Sequence, residues 1–127
     1  MLGNAPLSTV IPTTDLKRAR EFYEGKLGLK VVKASDYGIM FEAGAGTNLY
    51  VYKRGPAKSE HTLASFEVAD LEAKVDDMSK NGIVFEKYDF PGLKTNEKGI
   101  ATFEEDGEKA AWFKDPDGNI LAVSQNI

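Results

Sequence analysis

The chain has 127 residues, enough for a domain with a real core, and its 42% apolar and 28% charged residues are ordinary for a soluble protein. It has no cysteine, which excludes disulfides and thiolate chemistry, and one histidine, His61, which excludes any site needing two histidines from one chain. A formal net charge of −4 without a basic patch argues against a nucleic-acid partner.

The opening "MLGNAPLSTV" has no charged segment followed by a long apolar run. Neither a signal peptide nor a membrane partner is expected, and a cytoplasmic setting is the expectation. "STVIPT" reads as a strand. Asp15 follows as a helix N-cap, because a short carboxylate accepts from the free N–H groups of a first turn. Leu16, Ala19, Phe22 and Tyr23 fall on one helical face, and Gly28 suits the left-handed position that ends a helix. A second strand follows, then "GIMFEAG" and "TNLYVYK" as a hairpin around Gly44 and Gly46.

About 55 residues on, the pattern recurs in "LASFEVADLEAKVDDMSKNGIVFEK". It gives a strand, Asp70 as N-cap, a helix with Leu71, Val75 and Met78 on one face, Gly82, and another strand. Phe90 to Lys98 is the longest irregular piece, a surface loop or a flap over a pocket. "GIATFEE", "EKAAWFK" and "NILAVSQ" form a meander broken at Asp106-Gly107 and Asp117-Gly118. The fold class is therefore α+β, βαβββ written twice within a single domain 1–127, with module one at about 5–56 and module two at about 60–127. The turn Asp115-Pro116-Asp117-Gly118 is strong turn chemistry, yet the strand that leaves it, Ile120 to Val123, carries no acid, histidine or cysteine.

"VIPTTDLKRAREFYEGKLGLKVV" together with "AWFKDPDGNILAV" resembles the vicinal oxygen chelate superfamily, and the resemblance runs from Leu7 to Gln125. That group includes glyoxalase I, ring-cleaving dioxygenases, fosfomycin-resistance enzymes and bleomycin-resistance proteins. The resemblance implies paired βαβββ modules whose sheets curl around a cleft, and a homodimer that completes it. It also implies a divalent metal held by His, Glu or Gln on the first strand and a late strand of each module. Counting from the shared motifs, those slots hold Ser8, Leu63 and Ala122, and "TNLYVYKR" offers no acid or histidine. The neighbours Leu7, Thr9, Thr62, Ala64, Leu121 and Val123 are not metal ligands of the usual kind either. The expectation is a site with no metal and no cofactor.

Strand alternation then places Ser8, Val10, His61, Leu63, Ser65, Ile120, Ala122 and Ser124 towards the cleft. It places Ile11, Thr62, Ala64, Phe66, Val68, Leu121 and Val123 under the helices. Asn48, Tyr50 and Tyr52 point to the cleft from "TNLYVYK", and Trp112 from "AWFKDP". The three aromatics offer flat faces with polar edges for a planar ligand, or a seat for a cation. The plainer alternative is that they fill the cleft or a dimer interface. His61 is a candidate hydrogen-bonding or general-base group, although a lone histidine at a strand start is more often a rim residue. Glu67 is an inward carboxylate or a solvated strand end. Asp76-Asp77 and Glu104-Glu105-Asp106 are explained by a helix face and a turn. The leading reading is a metal-free protein that binds or sequesters an aromatic or amphipathic small molecule, as in antibiotic resistance of the bleomycin type. The alternatives are a glyoxalase-like lyase or isomerase using His61, Tyr50 or Tyr52, and a subunit whose cleft is idle.

Overall fold

Alternation in "STVIPT" buries every second residue after Val10, and Ile11 and Thr13 lie inside the strand β1 (Ser8–Thr13). The computed structural model describes residues 1–57 and 59–126, and the chain divides into two compact units, Met1–Ala57 and Lys58–Ile127. In unit one, Asp15 caps the helix α1 (Leu16–Arg20), accepting at Oδ1 from the Arg18 amide at 3.1 Å. The helix does not continue in α form to Gly28. It widens into a π-helical stretch, Glu21–Lys26, in which the Leu27 amide bonds back to the Phe22 carbonyl at 3.0 Å. The wider turn still leaves Ala19, Phe22 and Tyr23 buried.

Three strands complete the unit: β2 (Lys30–Ala34), β3 (Gly38–Glu42) and β4 (Asn48–Lys53). A short 3-10 turn at Gly44–Gly46 closes the expected hairpin between the last two. The four-stranded sheet has the order β1-β4-β3-β2, with β1 parallel to β4 and the other pairs antiparallel. Ile11, Leu49, Val51, Ile39 and Phe41 share the face under the helix. Tyr23 meets Phe22 edge-on at 5.2 Å and Phe41 at 5.6 Å between ring centroids. Burial of each such aromatic or branched side chain contributes roughly 1.5–3 kcal/mol.

Unit two repeats this topology. β5 (Thr62–Glu67) leads to α2 (Leu71–Lys80), whose cap is Asp70, accepting from the Ala73 amide at 3.1 Å. β8 (Ile100–Phe103), β9 (Glu108–Lys114) and β10 (Ile120–Asn126) follow, and the sheet order is β5-β10-β9-β8, again with the first strand parallel to the last. Two expectations change here. The strand expected after Gly82 is reduced to a single bridge between Phe85 and Phe113, whose rings meet edge-on at 5.8 Å. The irregular segment after it contains a small hairpin, β6 (Asp89–Phe90) with β7 (Leu93–Lys94), turned at Gly92 with φ of +82°.

α2 lies on the face that carries Phe113, Leu121 and Val123, all buried. Two polar ties fix it there. Gln125 Oε1 accepts from the Leu71 amide at 2.8 Å, and Lys109 Nζ donates to both oxygens of Glu72 at 2.7 and 2.8 Å. The Lys109 hydrogen bonds hold the Glu72 carboxyl below the usual carboxylate range.

The Asp115–Gly118 turn is internally satisfied. Asp115 is buried, its Oδ1 accepts from the amides of Asp117 and Asn119 at 2.9 Å each, and its Oδ2 accepts from Asn119 Nδ2 at 2.8 Å. Gly118 takes φ of +83°, which favours glycine. The turn therefore sets the β9–β10 register, in which Trp112 stands opposite Ala122. Asp115→Ala leaves three buried or half-buried donors without this acceptor and is expected to cost about 2–3 kcal/mol, read by urea unfolding. A loss below about 0.5 kcal/mol, the usual size for a surface change, would contradict this role.

Candidate functional site

Each sheet has one face under its helix and one face without a helix. In unit one the second face carries Ser8, Val10 and Pro12 from β1, level with Asn48, Tyr50 and Tyr52 on β4 and with Glu42, Met40 and Gly38 on β3. Ser8 is exposed, Val10 is 54% exposed, and Asn48, Tyr50 and Tyr52 are half-buried. The two tyrosine rings lie nearly parallel, 9° apart in plane and 6.3 Å between centroids. Gly38 makes this possible, because a Cβ there would fall on the Tyr50 hydroxyl and 2.5 Å from its Cζ. Arg54 lays its guanidinium over the Tyr52 ring at 5.9 Å, and its own amide is held by the Thr13 carbonyl at 2.9 Å.

In unit two the corresponding face carries Trp112, Ala122, Ser124 and Ser65. Trp112 is half-buried. Tyr88 and Phe103 meet it edge-on at 5.7 and 6.3 Å, and Phe90 lies 6.0 Å from Tyr88. The Glu86 amide bonds to the Trp112 carbonyl at 2.8 Å, and the Tyr88 amide to Thr95 Oγ1 at 2.9 Å, so the segment bearing Tyr88 is tied at both ends. Burial, then the charge of Glu86, pushes the Tyr88 phenol above its ordinary pKa. Beside the rings is a polar row in which Ser65 and Ser124 share a hydrogen bond of 3.1 Å, and Glu67 accepts from Asn126 Nδ2 at 2.6 Å. Ala122 is 3% exposed between its register neighbours Ser65 and Trp112, so it forms floor rather than surface.

The first strand of unit two departs from strict alternation. Ile120 pairs with Thr62, but Leu121 pairs with Ala64, so Leu63 is the extra residue of a bulge. Thr62 therefore stands level with Ile120 and not in the core row, and the row that joined His61 and Leu63 to Ser65 is broken. Leu63 is 36% exposed. His61 is exposed, with its amide and carbonyl tied to Ser59 Oγ at 3.3 and 3.2 Å. Sequence reading missed Tyr88, Phe90, Phe103 and Arg54. Phe103 was recoverable, since pairing across the Asp106-Gly107 turn brings β8 beside β9. Tyr88 was not, because the strand that would have oriented it is absent.

The residues at the expected slots are not ligands for a divalent ion. On the two helix-free faces the expected slots hold a hydroxyl, an isobutyl group in a bulge and a buried methyl. Among the described residues, no group of three His, Cys, Asp or Glu side chains could hold a metal ion. Asp76 is instead paired with Lys98 at 3.0 Å on the helix surface. An open groove of about 780 Å³ runs beside α2, lined by Glu67, Asp70, Lys74, Asp77 and neighbours, without an aromatic of its own.

Two βαβββ units, each joining its first strand in parallel to its last and keeping one face clear of helix, define the glyoxalase-like class of α+β proteins. Comparison with protein-family models matches residues 6–123 to the Glyoxalase/Bleomycin resistance protein/Dioxygenase superfamily, and the chain belongs to that family. Among solved structures, it is similar to a glyoxalase family protein from Enterococcus faecalis, at 18% identity and a TM-score of 0.73, covering 98% of this chain and 99% of that one. The oxidase ChaP-H2 gives 23% identity and a TM-score of 0.70, covering 98% and 95%. A lactoylglutathione lyase from Agrobacterium tumefaciens gives 19% identity and a TM-score of 0.65, covering 96% and 93%. No curated protein is significantly similar in sequence. No helix among the described residues is long and apolar enough to cross a membrane.

The Tyr88 shift gives a direct check. A folded-state phenol pKa raised above the unfolded value stabilises the fold below the unfolded pKa, and that contribution is lost as pH rises through the folded one. In an alkaline titration of tyrosinate absorbance, Tyr88→Phe should remove a step that lies above the ordinary phenol range. An unchanged curve would show that Tyr88 is not sheltered as described.

Proposed function

We propose that this protein binds a planar aromatic or amphipathic small molecule without a metal, on the helix-free faces of its sheets. The observation that carries the reading is the half-buried Trp112, held edge-on by Tyr88 and Phe103 beside small, lightly polar residues. Large flat surfaces next to a few hydroxyls are the usual composition of a small-molecule site. A core aromatic would be expected on the helix side, where Phe113 is fully buried. The poor fit of the slots to a metal supports binding over metal-assisted chemistry. Sequestration needs affinity and abundance alone, since it acts by mass action.

Two measurements test this. Chelator-treated protein is titrated with planar and cationic antibiotics and with ketoaldehyde adducts, following emission from Trp112, the single tryptophan. A saturable change at micromolar ligand is expected, and Trp112→Phe should weaken binding measured by calorimetry. A response that appears only after Mn²⁺, Ni²⁺ or Zn²⁺ is added would overturn the metal-free reading and favour a lyase or isomerase of the superfamily. The same reading includes a homodimer, the state that the family resemblance implies. Sedimentation should then return twice the 13.9 kDa chain mass, and a single chain mass at micromolar protein would remove the dimer.

A further inference from the structure

The tyrosine pair of unit one carries a feature that small-molecule binding alone does not require. Tyr50 and Tyr52 present parallel rings on the helix-free face, and the Arg54 guanidinium carbon sits 5.9 Å over the second of them. The rings are i, i+2 neighbours on one strand, so β4 itself spaces them. Gly38 leaves room for the Tyr50 ring, and the Arg54–Thr13 backbone bond fixes where the arginine side chain begins. Arg54 makes no ion pair with a carboxylate among the described residues, in a chain whose net charge is −4. A guanidinium with no carboxylate partner offers its N–H groups in the fork geometry that suits a carboxylate or phosphate.

We infer that the face formed by Tyr50, Tyr52 and Arg54 selects planar ligands that carry an acidic group, with the ring against the tyrosines and the anion on the Arg54 fork. This rests on the proposal that the helix-free faces bind planar molecules, and it adds the charge class of the ligand. Lys53 provides the internal control. It is the next residue, but it lies level with Thr13, in the row opposite to that of Tyr52, so its charge is close without sharing the stack.

The test uses three probes with one ring system: 1-naphthoate, neutral 1-naphthamide and cationic 1-naphthylmethylamine. Calorimetry on the full chain should show naphthoate binding about tenfold more tightly than the amide, with the amine weakest. Arg54→Gln should remove the preference and bring naphthoate down to the level of the amide. Lys53→Gln, which removes the same charge, should keep the preference. Gly38→Ala should weaken naphthoate and amide alike, by displacing Tyr50. Equal binding of the three probes, or a preference that survives Arg54→Gln, would overturn the acid selectivity and leave small-molecule binding standing. Failure of all three probes to bind would overturn both for this face. Arg54 and Lys53 are exposed, so neither variant removes core packing, and retained thermal unfolding separates lost binding from lost fold.

Discussion

The parallel pairing of the first strand with the last is the constraint on which each unit depends. β1 lies beside β4, and β5 beside β10, so the chain must leave the sheet after its first strand and return at the far edge. A parallel neighbour cannot be reached by a tight turn, and the connection must cross one face. The helix supplies that crossing and covers the face it crosses. The opposite face is left to whatever the alternate residues provide. In this chain they provide Tyr50, Tyr52 and Arg54 in one unit, and Trp112 with its ring neighbours in the other.

Much of this was legible in the sequence because the signals were local. Asp15 and Asp70 announced caps, Gly28 and Gly82 announced helix ends with φ of +75° and +89°, and alternation in "TNLYVYK" separated Leu49 and Val51 from Tyr50 and Tyr52. What failed was non-local. The π-helical turn after Arg20 has no periodic signature short enough to read, since Phe22 and Tyr23 are buried in either helix type. The bulge at Leu63 depends on how β10 is aligned, and β5 gives no hint of it. The "GIVFEK" stretch has strand composition but finds one bridge partner, so propensity was overruled by tertiary context. Among the site residues, the aromatic faces followed from period two. Arg54, just beyond its strand, and Tyr88, on irregular chain, did not.

The family joins several chemistries to one backbone plan, and the contrast within this chain shows how that works. The plan fixes where side chains point, while their identity sets the chemistry. Ser8 carries a hydroxyl and Ala122 a methyl on the helix-free faces of the two sheets. The same strands carry rings and a guanidinium at neighbouring positions. Such differences of surface leave the cores under the helices, such as Tyr23 on Phe41 and Phe85 on Phe113, as they are.

The self-satisfied Asp115 turn bears on folding fidelity as well as on geometry. Strand pairing has period two, so a slip of one residue between β9 and β10 exchanges the faces of a whole strand. Such a slip would drive the Trp112 indole beneath α2 and expel Phe113 into solvent. β10 is rich in small and branched residues and β9 has two alanines, so side-chain size alone does not forbid the slipped pairing. A turn whose own carboxylate holds Asp117 and Asn119 in place can fix the pairing before the strands zip together. The turn therefore favours the one register that decides which aromatic the finished sheet shows.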